Sequence, residues 1–528
     1  MTTFVAENEL EIPLVFRFWN GSVMFVDELF KQSAKTAITL LMFVGLPDAS
    51  IDSFRTGSNF IRLCNTTERV AIYHLIDYKT FINIRYSQNN MMPVNRRSVI
   101  RKIGAIGTTL TFAGVATASS DRIRYIVRTN GNVNKEIQDL DYEVLSELAG
   151  GNILLIAGPE ETTNALTEIN GVSNVLHDFN VELEEPPLEQ NADSSTERSV
   201  DQVYEQFLWD KQLQQVREAH AYATGSGRTV AVLDTGVDNT HPDLDVDIER
   251  SAVIIDGQPE PYDGPRGGDH ATHVAGTVAG TGAAGMLGTA PDTTIVSVRI
   301  LGPETGTWGD ILAAMEYAAE IGADAANMSV GTYPIPPQRN AVQYRRLMES
   351  VANNVTRQGT LLVAAAGNNN TNLQQGGRFT LPNSLAGVIS VSASTPSDHL
   401  SFYSNYGTNE IDIGAPGGGY ETPEKTLTTD PEEVALPYPR NLIYSTLPVS
   451  DDGEARYGWK IGTSMAAPQV AGLVALVREI APNANAKQVQ NVIQQSAEGD
   501  SGYGDPEFGA GQTNALAAVE EMSDNGGT

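Results

Sequence analysis

The sequence predicts an α/β fold, a doubly wound, mostly parallel sheet with helices on both faces, preceded by a small α+β domain. Downstream of residue 225, short runs of β-branched and other apolar residues alternate with longer runs of helical spacing. Such alternation is typical of parallel strands joined by crossover helices. The predicted strands lie near 229–233, 295–299, 325–330, 360–365 and 388–393, and the helices near 270–279, 310–321, 341–358, 464–480 and 486–497.

The small domain is predicted over residues 121–185. Its order is strand, helix, strand, helix, strand and a strand-like tail. Residues 186–200 are mostly polar and contain two prolines, as expected of a linker, and residues 201–528 form the larger domain.

Three polar residues are predicted to start or end elements of the larger domain. Asp234 follows the apolar run 229–233, His270 opens a small-residue helix, and Ser464 opens another. Pro468 is expected in the first turn of that last helix, where its missing N–H is harmless. A serine before a helix is by itself most often a cap. An Asp, a His and a Ser at such positions in this order are far more specific.

The segments TVAVLDTGVDNTHPDL (229–244), GGDHATHVAGTVAG (267–280) and IGTSMAAPQV (461–470) resemble those of the subtilisin-like serine proteases, peptidase S8. The resemblance covers about residues 201–520 and extends to secreted halolysin-type enzymes of haloarchaea. It implies that Asp234 orients the base, that His270 is the base and that Ser464 is the nucleophile. The block LLVAAAGNNN (361–370) implies that Asn368 donates to the oxyanion.

Two residues depart from the family pattern. Ala271 follows the histidine where the family usually has Gly, and Gln469 stands where it often has His. Neither contributes a triad atom, so we expect an active enzyme. His273 is expected to be a structural helix residue, because one base suffices.

The resemblance also indicates where substrate binds. NMSVGT (327–332) looks like the segment that pairs with substrate, through Ser329, Val330 and Gly331, and the segment from Leu301 to Trp308 resembles the opposite edge. Strand addition to main chain tolerates many sequences. The expected substrate is therefore an extended polypeptide.

Calcium is not expected to be required. Subtilases often hold this ion on the loop after the histidine helix, but that loop here, GTGAAGML (280–287), has no Asp or Asn. Asp243 matches another ligand position and is a candidate calcium ligand. Calcium needs six or more oxygens, so any role is expected to be structural.

The domain at 121–185 resembles a subtilase propeptide. This implies that the chain is a zymogen whose propeptide templates folding and blocks the cleft until it is removed. An ordinary binding module remains the alternative for a small domain of this pattern.

The charge of the chain indicates its partners and the salt conditions in which the protein works. Residues 119–528 carry 56 acidic and 22 basic residues, a net charge of −34, and only 5 of those bases are Lys. This composition argues against nucleic acid as a partner and indicates a halophilic source. The expected partners are polypeptide substrates and the chain's own propeptide, and we expect a monomer.

Residues 91–120 predict export. Arg96 and Arg97 precede an uncharged run that ends in small residues, which resembles a twin-arginine signal peptide. An amphiphilic core helix is the alternative. Because a signal should begin a protein, we expect translation to start near Met91 and residues 1–90 to be a doubtful extension. The mature enzyme would then be extracellular and free of cysteine, since Cys64 is the only one.

Three competing functions remain open from the residues. A subtilase relative could transfer the acyl group to an amine instead of water. An aspartic protease is suggested by VLDTGV, but such enzymes need two carboxylates and the chain has no second DTG. A non-catalytic peptide-binding relative is the third.

Overall fold

The computed structural model describes residues 122–159, 163–181, 188–192, 198–262, 264, 268–301, 306–337, 339–499 and 504–525, and upstream of these it gives only the bounds of seven strands. The chain divides into two compact units, Met1–Pro93 and Val94–Thr528. The doubtful extension 1–90 and the predicted signal segment 91–120 lie outside the residues described in detail.

The strands follow one another along the chain as short segments. They are β1 Thr2–Ala6, β2 Leu14–Trp19, β3 Ser22–Val26, β4 Ser50–Arg55, β5 Phe60–Cys64, β6 Val70–Tyr73, β7 Ala113–Val115, β8 Ile123–Thr129, β9 Glu143–Leu148, β10 Ile153–Gly158, β11 Val172–His177, β12 Phe179–Val181, β13 Glu189–Asn191, β14 Thr229–Asp234, β15 Ala252–Ile255, β16 Gln258–Pro261, β17 Thr294–Arg299, β18 Gly306–Thr307, β19 Ala325–Met328, β20 Leu361–Ala365, β21 Val388–Ser394, β22 Ile413–Pro416, β23 Ile443–Leu447 and β24 Arg456–Lys460.

The α-helices are longest in the second half of the chain. They are α1 Asn134–Gln138, α2 Thr163–Leu166, α3 Val200–Phe207, α4 Trp209–Leu213, α5 Val216–Ala219, α6 Asp269–Ala279, α7 Trp308–Glu320, α8 Arg339–Gln358, α9 Pro423–Thr426, α10 Thr463–Ile480, α11 Ala486–Gln495 and α12 Ala515–Asn525.

An eight-stranded sheet forms the centre of the larger domain, in the order β16-β15-β17-β14-β19-β20-β21-β22. All neighbours are parallel except β15 and β16, which form a hairpin. This confirms the predicted mostly parallel sheet. All five predicted strands and all five predicted helices are present, with ends shifted by a few residues.

Both faces of the sheet are covered, as the continuous apolar runs of its strands require. On β14, Val230 and Val232 join a core with α6 and α10, whereas Ala231 and Leu233 join a second core with α7 and α8. Parallel strands all end at the same edge of the sheet, so the residue after each buried run lies at that edge. Asp234 is the last residue of β14 and is fully buried there.

The upstream domain is a four-stranded antiparallel sheet in the order β11-β8-β10-β9, with α1 and α2. It contains one strand more than the sequence order predicted. Glu143–Leu148 pairs with β10 through a turn in which Gly150 and Gly151 have φ of 65° and 82°. The two glycines adopt left-handed dihedrals at no steric cost, so the chain reverses between β9 and β10.

Among the residues that the structure describes, no helix has both the length and the apolar character needed to cross a membrane.

Gln469, which departs from the expected family pattern, belongs to a buried polar network. Lys211 on α4 is fully buried and its Nζ donates to Thr277 O and Thr289 Oγ1, each at 3.0 Å, and to Gln469 Oε1. The Gln469 amide donates in turn to Asp210 Oδ2 at 2.7 Å, and this oxygen lies 3.3 Å from Nζ. Burial lowers the pKa of Lys211, and the Asp210 carboxylate opposes this effect. The network joins α4, α6 and α10.

Replacing Lys211 by Met should destabilise the fold by about 3–5 kcal/mol, because it leaves the Asp210 carboxylate buried without a counter-ion. The double variant Asp210→Asn with Lys211→Met should lose less, since the buried charge is removed as well. The measurement is urea unfolding in the Ser464→Ala background, to prevent self-digestion. An equal loss in the single and double variants would contradict this account.

Candidate active site

Two of the predicted residues meet at the carboxyl edge of the sheet. His270 is the second residue of α6, and its Nδ1 donates to both oxygens of Asp234 at 2.9 Å. Asp234 Oδ1 also accepts from the backbone N–H of Thr235 at 2.7 Å. Both side chains are buried, so the carboxylate holds the imidazole with Nε2 free to accept a proton. That Nε2 has no hydrogen-bond partner among the described residues.

Ser464 is the second residue of α10 and is buried. Its hydroxyl does not bond to His270. It donates instead to the backbone oxygen of Ser329 at 3.2 Å. Catalytic hydrogen bonds are often absent or long before substrate binds.

The position of Pro468 differs from the prediction. Because α10 begins at Thr463, Pro468 is the sixth residue of the helix and not part of its first turn. A proline there leaves the carbonyl four residues earlier, that of Ser464, without its helical donor. The Ser329 hydroxyl donates to that carbonyl at 2.8 Å. Ser329 and Ser464 are thus joined by two reciprocal hydrogen bonds.

Asn368 is oriented by Thr463. Its Oδ1 accepts from the Thr463 backbone N–H at 2.8 Å and from the Thr463 hydroxyl at 2.9 Å. The same hydroxyl oxygen accepts from Gly367 N at 3.0 Å. With Oδ1 occupied, the Asn368 amide directs its Nδ2 donor away from Thr463. An oxyanion donor must present this amide nitrogen and not the amide oxygen.

Gly462 sets the entry to α10. Its φ is 154° and its ψ 158°, a region that only glycine adopts readily. This conformation turns the chain so that Thr463 and Ser464 begin the helix beside Asn368.

His273 lies one turn after His270 and is fully buried. Its Nε2 contacts Ile443 O at 3.1 Å and Gly458 O at 3.3 Å. Burial, followed by the nearby charges of Lys460 and His270, holds its pKa well below the usual value. A neutral imidazole bonded to backbone carbonyls joins α6 to β23 and β24, which is the structural role predicted for it.

The predicted substrate-binding residues lie around this edge. Leu301 N donates to the backbone oxygen of Asp234 at 3.3 Å, so the Leu301 edge begins at the end of β14. Ser329, Val330 and Gly331 follow β19, and the first two are buried. Strand β18, which lies between Leu301 and Ser329 in the sequence, pairs with β12 of the upstream domain.

Asp243 does not fit the calcium position that the sequence suggested. Its Oδ1 accepts from Ala284 N at 2.6 Å, and its Oδ2 accepts from Met286 N at 3.0 Å and from the Tyr457 hydroxyl at 2.7 Å. Calcium requires oxygen ligands, whereas this carboxylate faces N–H and O–H donors. Within the described ranges, no group of three or more His, Cys, Asp and Glu is arranged to hold a metal.

Two functional contacts were missed at the sequence level. Thr463 lies in the segment IGTSMAAPQV without a predicted role, and Ser329 was expected to act only through its backbone groups. The clue for Ser329 was present in Pro468, because a proline beyond the first turn of a helix frees a carbonyl that needs another donor. No local pattern indicates that Thr463 orients Asn368, since the two residues are distant in the chain.

Comparisons with known proteins agree with this arrangement. The family model described as the subtilase family, peptidase S8, matches residues 225–513, more than half of the chain. A "Thermophilic serine proteinase" from Bacillus sp. (strain AK1) is 36% identical over 298 residues, 56% of this chain and 62% of that protein. An "Extracellular protease" from Xanthomonas campestris pv. campestris is 32% identical over 342 residues, 58% of this chain and 53% of that protein. The chain thus spans less than two thirds of these two relatives.

The solved structures extend the likeness in fold. The epidermin leader peptide processing serine protease of Staphylococcus aureus matches with a TM-score of 0.62 at 21% identity, over 76% of this chain and 98% of that one. Residues 201–528 make up only 328 of the 528 residues, so part of this match lies upstream of residue 201. The family match and the site geometry lead to one conclusion: the chain belongs to the subtilase family, peptidase S8.

Proposed function

We propose that this protein is a secreted serine endopeptidase that hydrolyses extended polypeptides through an acyl-enzyme intermediate. The observation that carries the proposal is the buried pair of His270 and Asp234, which leaves Nε2 free at the edge where Ser464 and Asn368 also lie. Asp234, His270 and Ser464 would be the triad. Membership of the subtilase family supports these roles.

In the proposed reaction, the Ser464 hydroxyl turns from Ser329 O to His270 Nε2. His270 takes its proton as Oγ bonds to the substrate carbonyl carbon. Asp234 stabilises the imidazolium that forms. The backbone N–H of Ser464 and Nδ2 of Asn368 hold the oxyanion. His270 then gives the proton to the leaving amine as the C–N bond breaks, and water releases the acyl group by the same steps.

The substrate is proposed to bind as an added strand. Gly306–Thr307 is one edge and Ser329–Gly331 is the other. Main-chain pairing requires an extended chain but little particular sequence. In the structure, β12 already pairs with β18 in this manner, with Asn180 opposite Thr307 and Val181 opposite Gly306.

The protein is proposed to be a zymogen in which residues 121–185 are the propeptide and inhibitor. Besides the β12–β18 pairing, the contact includes a buried ionic cluster. Arg124 of β8 pairs with Asp178 at 3.0 Å, with Asp310 of α7 at 2.9 Å and with Asp256 at 3.1 Å. Asp178 also accepts from Gly309 N at the start of α7 at 2.9 Å. A domain that covers the substrate edge in this way prevents substrate from binding there.

Export and salt dependence belong to the same proposal. The twin-arginine segment and the net charge of −34 over residues 119–528 support a secreted, halophilic enzyme. One relative is named an extracellular protease. We propose that it acts as a monomer and without calcium at Asp243. The acidic surface needs salt to screen repulsion between like charges, so assays belong at high salt.

The aspartic-protease alternative has no support in the geometry. The carboxylate of Asp234 contacts an imidazole and a backbone N–H, whereas that mechanism requires two carboxylates that share a proton. A non-catalytic peptide-binding role remains the alternative. Casein hydrolysis by wild type and by Ser464→Ala distinguishes this role from the proposed peptidase activity.

Replacing Ser464 by Ala should abolish casein hydrolysis, because no other hydroxyl is placed to attack. The assay compares wild type and variant across salt concentrations, and circular dichroism checks that both are folded. A variant that digests casein as fast as wild type would exclude Ser464 as the nucleophile. A folded wild type that digests none would favour the binding role.

Replacing Asn368 by Ala should lower kcat by about 10²–10³, or roughly 2.7–4 kcal/mol, with little change in KM, because the lost donor acts mainly in the transition state. Steady-state kinetics on a fluorogenic peptide provide the measurement. Asn369→Ala is the matched control and should leave kcat unchanged. Equal kcat in wild type and Asn368→Ala would remove Asn368 from the mechanism.

The contact between the upstream domain and the larger domain should become less stable as pH rises through about 6. Burial raises the pKa of Asp178 from 3.8 to about 6, although Arg124 opposes the rise. The folded state therefore binds a proton more tightly than the released domain. That stabilisation is fully present below pH 3.8 and is lost as pH rises through about 6.

Hydrogen exchange in the Ser464→Ala chain measures this effect. After correction for intrinsic rates, the exchange rate of the β12 amides should increase roughly tenfold or more from pH 5 to pH 7. A change of one unit in a pKa is worth about 1.4 kcal/mol, which is a tenfold change in an equilibrium constant. Asp178→Asn should remove the pH dependence. Corrected rates that change equally with pH in both proteins would refute the role of Asp178.

A further inference from the structure

A polar cavity of about 350 Å³ lies between the upstream domain and helix α8. One side is formed by the end of β8 and the turn between β9 and β10. The other side is formed by residues of α8 that recur at intervals of three and four positions and so share one face of the helix. The polar residues that line the cavity most directly are Arg128, Asn130 and Asn152 of the upstream domain and Ser350, Asn353 and Arg357 of α8.

The cavity carries positive charge without a balancing carboxylate. Its two charged lining residues are Arg128 and Arg357, and among the residues that the structure describes neither forms an ion pair. Arg357 donates from Nη2 to Asn354 Oδ1 at 3.4 Å, a long bond to a neutral group. Arg345 of the same helix, by contrast, pairs with Glu349 at 3.1 Å. In a chain with 65 acidic and 34 basic residues, a cavity of this charge is uncommon.

The groups around the two arginines are neutral donors. Glu316 of α7 lies beside the cavity, but its Oε1 accepts from Ala149 N at 3.2 Å and from Asn354 Nδ2 at 3.0 Å. Asn152 and Asn353 each donate from the amide nitrogen to a backbone oxygen at 2.8 Å. Since an amide nitrogen carries two hydrogens, each of these two side chains retains a donor for a bound molecule.

This set of donors matches a tetrahedral oxyanion. Guanidinium groups present forked N–H donors that suit the oxygens of sulfate or phosphate, and a dianion balances two arginines. We propose that the cavity binds one such oxyanion, which links Arg128 of the upstream domain to Arg357 of α8.

The consequence of this site is regulatory. Because its two sides belong to different domains, the complete site exists only while the upstream domain is docked. A ligand that binds the docked state alone stabilises that state in proportion to its concentration. The oxyanion concentration therefore controls how readily the upstream domain leaves. Binding does not depend on peptidase activity, whereas the control of activity rests on the proposed inhibitory role of the upstream domain.

The first test measures binding to the full Ser464→Ala chain by equilibrium dialysis of radiolabelled sulfate at a fixed, high NaCl concentration. We expect saturable binding that unlabelled phosphate displaces. Arg128→Gln and Arg357→Gln should each lower the affinity roughly tenfold or more, because each loses charge-assisted hydrogen bonds to the anion. Arg346→Gln is the matched control, since it removes the same charge from an exposed position of α8 outside the cavity, and it should bind sulfate normally.

The second test measures the hydrogen exchange of the β12 amides in the same chain, with ionic strength held constant by NaCl. Sulfate at about ten times its dissociation constant should slow this exchange roughly tenfold, because it reduces opening of the docked state by that factor. Sulfate also stabilises proteins in general, so the slowing is compared with that in Arg357→Gln. Ser350→Glu, which places a carboxylate in the cavity, should abolish both the binding and the additional slowing.

The outcomes separate this site from the proposed peptidase. A folded parent chain without saturable binding, or binding that survives Arg128→Gln, Arg357→Gln and Ser350→Glu, overturns the site. Binding that slows β12 exchange no more than in Arg357→Gln overturns the link between the two domains. Casein hydrolysis by the wild type tests the peptidase independently, because none of these measurements requires catalysis.

Discussion

The start of helix α10 is the constraint on which the rest of the site depends. Two consecutive residues there each make a pair of hydrogen bonds to a separate part of the sheet edge. Thr463 holds Asn368 through its N–H and hydroxyl, and Ser464 exchanges two bonds with Ser329. Because Asn368 follows β20 and Ser329 follows β19, the helix is fixed against two neighbouring strands. A small rotation of α10 would disturb Ser464 and Asn368, the proposed nucleophile and the proposed oxyanion donor, together.

Pro468 makes this arrangement specific. A helix without it would satisfy the Ser464 carbonyl internally, and the bond from the Ser329 hydroxyl would no longer be needed to pair that carbonyl. The proline thus weakens the helix at one bond and couples it to the sheet at another. The helix lacks one internal hydrogen bond to the Ser464 carbonyl and has instead a long-range bond from Ser329. This long-range bond restricts the position of Ser464 more than helix formation alone would.

The sequence predicted what depends on short-range pattern. Apolar runs and helical spacing gave the parallel sheet, its five predicted strands and the helices that begin at His270 and Ser464, because each element buries a continuous apolar face. It did not predict β16 and β22, which are short and lie at the edges of the sheet, or β15, which is equally short and lies next to β16. The turn after β9 was also missed, since Gly150 and Gly151 act through backbone dihedrals that apolar periodicity does not encode. Partners distant in the chain, such as Thr463 with Asn368 or Lys211 with Gln469, depend on the assembled fold.

The way this chain buries its few cations follows from its acidity. Lys211 and Lys460, two of the 5 lysines after residue 118, are buried, and Arg124 is buried among three aspartates. At the high salt that we propose for this protein, a surface rich in carboxylates gains little from an exposed lysine, because screening weakens surface pairs. A buried cation keeps its interactions, since salt does not reach it. Cations are therefore most useful where they join elements, and Arg124 joins the upstream domain to α7 at the edge proposed for substrate.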